Sequence, residues 1–121
     1  MRRIGSAMLL LGMLTGQAVA ADTRHDGTWT GTYHPVQALG AKCNTNTTKR
    51  SMVVKDGVAT MRTTSARNGA ERVYTGTVNG DTLDMVSEDE LIYSGNFTGN
   101  HYRATTGRGL CTNGIDLDRV P

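Results

Sequence analysis

The sequence predicts an all-β domain, an eight-stranded antiparallel up-and-down barrel laid out as a plain meander, with a two-sheet β-sandwich as the competing arrangement. Three observations carry this expectation. Beyond residue 20, apolar residues alternate with period two along a Thr- and Gly-rich chain, and no stretch of ten residues there places them at helical spacing. Three dipeptides, Asp56-Gly57, Asn79-Gly80 and Gly99-Asn100, are of the kind that closes a two-residue hairpin. The registers these turns impose agree with one another, each setting apolar opposite apolar on one face.

Taken in order, a first strand over residues 28–33 turns Trp29, Gly31 and Tyr33 to one side. Around Asp56-Gly57, Val54 faces Ala59 and Met52 faces Met61. Around Asn79-Gly80, Gly76 faces Leu83 and Tyr74 faces Met85. Around Gly99-Asn100, Phe97 faces Tyr102 and Gly95 faces Ala104. A last strand over residues 115–120 points Ile115 and Leu117 inward. The opposite face is mostly Ser, Thr and charged groups, with Val53, Val58, Val73, Val86 and Ile92 as exceptions. In such a meander the three tight turns share one end, and the longer segments 34–50, 63–71, 87–91 and 107–114 share the other.

Residues 1–20 read as a secretory leader that is removed: Arg2 and Arg3 form a basic start, residues 4–14 an apolar run, and Ala18-Val19-Ala20 a small-x-small cleavage site. The apolar run is too short for a bilayer-spanning helix. A single domain over residues 21–121, exported to the periplasm or the medium, is the expectation. The whole chain carries 13 basic and 11 acidic side chains. Arg2 and Arg3 fall in the leader, so the mature domain balances 11 against 11. That balance argues against a general nucleic-acid or anionic-membrane binder.

Cys43 and Cys111 are the only cysteines. In an exported chain without CxxC or Cys-His spacing, a structural disulfide between them is the simplest reading. They lie in two of the long segments, at one end, beside strands that become neighbours only if the sheet closes, and this favours the barrel over the sandwich.

Gly27-Thr28-Trp29 resembles the G-x-W opening of the calycin group, the lipocalins, fatty-acid-binding proteins and avidins. The resemblance implies a Trp at the closed end of a barrel, packed under a cation from the last strand, the place Arg119 occupies. More narrowly, Asp26-Gly27-Thr28-Trp29, a midchain of short hairpins, Cys111 and Ile115-Asp116-Leu117-Asp118-Arg119 are together similar to small exported β-domain proteins of proteobacteria, mostly of unassigned role.

Function is expected at the loop-rich mouth. Tyr33, Arg50, Met52, Met61, Arg72, Tyr74, Met85, Tyr93, Thr106 and Arg108 should point inward there. Within that set Tyr33, Arg72, Tyr74, Met85, Tyr93 and Arg108 make a lining for a small amphipathic ligand with an anionic head. A protein partner on the loops is the companion reading, with segment 34–49 projecting outward; an inhibitor of a lysozyme-type hydrolase would be one such case. A structural or adhesin-like envelope module without a ligand is the third. Catalysis is not expected, because His25 precedes the fold, His34 ends the first strand and His101 lies on the outer face. Nor is a metal or cofactor expected: Glu88-Asp89-Glu90 lacks a calcium-loop pattern. Charge is sorted along the chain, basic over residues 42–72 and acidic over 81–90, and the domain is expected to be a monomer.

Overall fold

Hairpin chemistry sets the architecture. The computed structural model describes residues 22–38, 43, 47–64, 69–108 and 111–121, so the leader expected over residues 1–20 lies outside the described residues. Its strands are β1 (Gly27–Ala38), β2 (Thr48–Lys55), β3 (Val58–Thr64), β4 (Glu71–Thr77), β5 (Thr82–Ser87), β6 (Ile92–Thr98), β7 (His101–Arg108) and β8 (Cys111–Arg119). Each pairs antiparallel with the next, and β1 pairs with β8 as well as with β2, so the sheet is a closed barrel and not a sandwich.

Two of the three turn-derived registers are those of the structure. Met52 pairs with Met61 and Val54 with Ala59; Phe97 pairs with Tyr102 and Gly95 with Ala104. Asp56 and Gly57 take φ of 53° and 77°, the positive pair that a primed two-residue turn requires. The middle hairpin differs: Tyr74 pairs with Ser87 and Thr75 with Val86, so Tyr74 does not face Met85, nor Gly76 Leu83. The reason is local. Asn79 bridges Thr82, whose Oγ1 also donates to the Asn79 carbonyl at 2.8 Å, so the turn is made by Gly80 and Asp81. A slip of two residues preserves the inward face, and the expected core survives it.

Among the described residues that core comprises sixteen buried apolar side chains, including Trp29, Met52, Met61, Leu83, Met85, Tyr102, Ile115 and Leu117. Each large aliphatic or aromatic group contributes on the order of 1.5–3 kcal/mol by leaving water. Three inward positions must be glycine: a Cβ at Gly31 would fall onto the Asp116 carbonyl of β8, one at Gly76 onto that of Asp84, and one at Gly95 onto that of Arg103. These are places where a small barrel bends its strands tightly enough for neighbouring backbones to meet.

The expected long segments are partly strand. β1 continues past Tyr33 to Ala38, pairing with β8 from Trp29–Arg119 to Ala38–Cys111 with an irregularity between Pro35 and Gln37. Pro35 is tolerated because its pairing with β2 has ended at Tyr33–Thr48, so no ladder N–H is required on that side. β7 and β8 likewise extend through Gly107 and Cys111. Of segment 34–49, residues 39–42 and 44–46 lie outside the described residues, so the projection expected of that loop lies outside them too. Cys43 and Cys111 are bonded, S–S 2.05 Å, across 68 positions of chain.

Closing a loop of that length is worth on the order of 4 kcal/mol in the chain-entropy account. Urea unfolding of the oxidised and reduced protein should therefore differ by several kcal/mol, and coincident curves would disprove a stabilising bridge. Gly31→Ala should cost about 3 kcal/mol, since the clash is with backbone that cannot step aside; a thermal midpoint within a degree of the parent would refute the close-approach argument.

Candidate functional site

The two ends of the barrel are chemically opposite. At the tight-turn end, Trp29 is fully buried and its Nε1 donates to the His25 carbonyl at 2.9 Å. Arg119 sits over the indole, its Cζ 4.8 Å from the ring centroid, and donates from Nη1 to the Asp26 carbonyl and from Nη2 to that of Arg24. The Asp26 carboxylate accepts from the backbone N–H groups of Asp56 and Gly57 at 2.8 and 3.0 Å. His25 stacks on Phe97 with centroids 4.0 Å apart and contacts Asp81 at 3.1 Å. Residues 22–26 therefore plug this end, and His25 belongs to the fold instead of preceding it. The Trp29–Arg119 pair stands as the sequence anticipated.

The opposite end gathers phenols and guanidinium groups. Tyr33, Tyr74 and Tyr93 point inward from β1, β4 and β6; Tyr74 and Tyr93 meet edge to face with centroids 5.0 Å apart. Burial pushes the Tyr74 and Tyr93 hydroxyls up from their ordinary pKa, and at Tyr93 the nearby Tyr74 and Tyr33 add to the shift. Arg50 lies over the Tyr33 ring, 4.7 Å from its centroid; its Nη1 donates to the Lys49 carbonyl, and its buried Nε, like that of Arg119, has no partner among the described residues. Arg72 is engaged differently. It makes a forked pair with Asp89, Nε and Nη2 donating at 3.1 and 2.8 Å, and Ser87 Oγ donates to the same carboxylate at 2.6 Å. These contacts hold the Asp89 carboxyl at about 2.

Placed against the sequence-derived lining, Tyr33, Arg72, Tyr74 and Tyr93 converge at this end as expected. Met85 and Tyr93 form its floor, 0 % and 2 % exposed, while Tyr74 is 4 % exposed, so these three are packed core groups. Replacing Tyr93 with Ala would thus remove core packing as well as any ligand contact. Met52 and Met61 are buried deeper, and Thr106 is half-buried on β7. The Arg108 side chain lies outside the described residues. Sequence parity placed Arg50 inward; that Asp89 occupies Arg72, leaving Arg50 with the less satisfied cation, depends on the shape of the β5–β6 turn.

A second polar cluster forms on the outer wall where β7, β8 and β1 meet, and it brings together residues that read as scattered in sequence. Asp116 accepts from His34 Nε2, from His101 Nε2 at 3.1 Å and from Arg103 Nε at 2.7 Å, while His101 Nδ1 reaches Asp118 at 2.8 Å. Burial alone would raise the Asp116 pKa, but the hydrogen bonds from Arg103, His34 and His101 outweigh it and hold the carboxyl at about 2. With a carboxylate acceptor at each ring nitrogen, His101 must carry both protons, and its hydrogen bond to Asp118, followed by that to Asp116, raises its pKa. The geometry is that of an ion-pair network. Among the described residues no group of three His, Cys, Asp or Glu side chains is arranged to hold a metal.

Because the folded pKa of His101 lies above its unfolded value, its contribution to stability is complete below about pH 6.5 and is lost as pH rises through the folded value. Asp116 acts in the other direction: its contribution is present above about pH 4 and is lost as pH falls towards 2. The urea midpoint should therefore be higher at pH 6 than at pH 9, and His101→Gln should flatten that difference; an unchanged slope in the variant would show that another group is responsible.

Comparison with known proteins gives a fold and no family. No family model matches the chain, and no curated protein matches it. Among solved structures it is similar to a redesigned β-barrel, with TM-score 0.56 and 13% identity over 86% of this chain and 98% of that one. It is likewise similar to a de novo designed fluorescence-activating β-barrel, with TM-score 0.55 and 12% identity over 84% of this chain and 99% of that one. At these identities the likeness is one of architecture: the chain is a small antiparallel β-barrel of the kind realised in designed proteins.

Proposed function

We propose that this is an exported binding protein that takes a small amphipathic anion at the open end, with residues 1–20 removed on export. The observation that carries the reading is the asymmetry of the ends. One is plugged by residues 22–26, while the other converges three tyrosines with Arg50, a cation lying over the Tyr33 ring. A guanidinium held over an aromatic ring supplies a planar set of donors to a carboxylate, sulfonate or phosphate head, and the adjoining phenols offer ring surface. Arg72, already paired with Asp89, would act by positioning that carboxylate and only secondarily by meeting the ligand. The fold is one in which a fluorescence-activating barrel has been designed. Because Met85 and Tyr93 close the floor, the guest would sit shallowly, between the tyrosine layer and the rim.

A second reading, a protein partner gripping the loops, is favoured by that same closed floor, since a partner needs no interior volume. Native mass spectrometry before and after denaturation separates the two. A retained molecule that leaves on unfolding supports the first reading. So does saturable fluorescence of anilinonaphthalene sulfonate that weakens about tenfold in Arg50→Gln, the effect of losing one charge-assisted contact. An apo protein that neither carries a guest nor binds the probe overturns it in favour of the partner reading. Under the export reading, the intact mass of the periplasmic protein should begin at Ala21.

A further inference from the structure

We propose that the outer wall of β2 to β5, flanked by β6, is the interface of a homodimer, in place of the monomer the sequence suggests. On that wall the register sets Val53 beside Thr60, Thr60 beside Thr75, Thr75 beside Val86 and Val86 beside Ile92, an unbroken row of β-branched side chains across five strands. Val53, Val58, Val86 and Ile92 are 48%, 47%, 43% and 49% exposed. Val53 and Val58 on the neighbouring strands β2 and β3, and Val86 and Ile92 on β5 and β6, are two half-exposed aliphatic pairs that Thr60 and Thr75 join across β3 and β4.

Charge around the patch says what covers it. Its β2–β3 side carries Lys49, Lys55 and Arg62, and its β5 side carries Asp84 and the following Glu88. Arg62 and Glu71 neutralise each other across the middle at 3.0 Å. Lys55 and Asp84, at the two flanks, have no ion-pair partner among the described residues. A cationic partner would use only the acidic flank and an anionic one only the basic flank, whereas a second copy uses both.

The geometry is self-complementary. Lys55 pairs with Val58, Val58 pairs with Thr77, and Asp84 lies beside Gly76 on the neighbouring strand. A two-fold axis along the strands, between β3 and β4, therefore brings Lys55 of one copy opposite Asp84 of the other. The same axis sets Val53 opposite Val86 and Thr60 opposite Thr75, each contact occurring twice as a closed two-fold interface demands. Four strands at about 4.8 Å spacing span roughly 15 Å. On a convex wall that buries less than the roughly 800 Å² per partner of a standard interface, so the dimer is a weak one. Charge pairs at its rim make it salt-sensitive.

Sedimentation equilibrium of the disulfide-bonded protein tests this. The weight-average mass should rise with concentration towards twice the monomer and fall back on adding salt. Lys55→Glu and Asp84→Lys, both at exposed positions, should each weaken association by at least about tenfold through like-charge apposition. An equimolar mixture of the two variants should recover it, because every Lys55–Asp84 contact in the mixed dimer again joins opposite charges. A monomer up to millimolar concentration overturns the proposal. So does a dimer indifferent to both substitutions, or a mixture that stays monomeric.

Discussion

Closure of β1 onto β8 is the constraint on which the rest depends. β1 is hydrogen-bonded to β2 from Gly27 to Tyr33 and to β8 from Trp29 to Ala38, so for most of its first half it has a neighbour on both sides. A sheet without edges leaves no backbone groups to template aggregation, but it obliges an eight-stranded barrel to fill a narrow interior with side chains and to bend sharply where strands cross. Gly31 is where that bend meets the seam: the Asp116 backbone lies where any larger residue would put its first side-chain atom. Once the seam closes, Trp29 is removed from water and its N–H needs an acceptor, which the His25 carbonyl supplies. The plug is thus a consequence of closure as well as its cover.

The same seam is fastened on both faces by different physics. Inside, Arg119 rests on Trp29 and spends its donors on two carbonyls of the plug, a local arrangement in low dielectric that salt screens weakly. Outside, His34 of β1, His101 and Arg103 of β7 and Asp116 of β8 form a network half open to water, where each exposed pair is worth little alone. Three side chains share the Asp116 carboxylate, however, and His101 and Asp116 make this outer half sensitive to pH.

Much of this was legible in the sequence because it is governed by short-range rules. Period-two alternation places Trp29, Met52, Met61, Tyr102 and Leu117 inside, and the dipeptide turns fix two registers outright. The third register slips by two because Thr82 bonds back to Asn79, a competition between adjacent turns that dipeptide preference does not resolve. The barrel parity of the mouth residues was equally readable. What was not readable depends on distant strands meeting: His34 and His101 are separated by most of the domain, and only the staggered register of β1 and β7 on β8 brings both to Asp116. The pairing of Arg72 with Asp89 belongs to the same class, since it requires the shape of the β5–β6 turn and not merely its acidity.

Filling the barrel decides where recognition can occur. With Met85 and Tyr93 closed against their neighbours, depth is unavailable as a source of binding energy, so selectivity has to come from groups at the tyrosine layer and above it. There the protein holds one cation in check with a carboxylate and leaves another resting on an aromatic ring with an unused donor. Under the proposed role, the carboxylate that occupies Arg72 would leave Arg50 as the guanidinium that meets an anion. The plugged end differs in its cover: residues 22–26 lie over it, and Arg119 donates to two of their backbone carbonyls and rests on Trp29, while its buried Nε, like that of Arg50, has no partner among the described residues. Two arginines that each rest on an aromatic ring thus differ in their surroundings: Arg119 is tied to the carbonyls of the residues that plug one end, and Arg50 lies beside the tyrosine layer of the other.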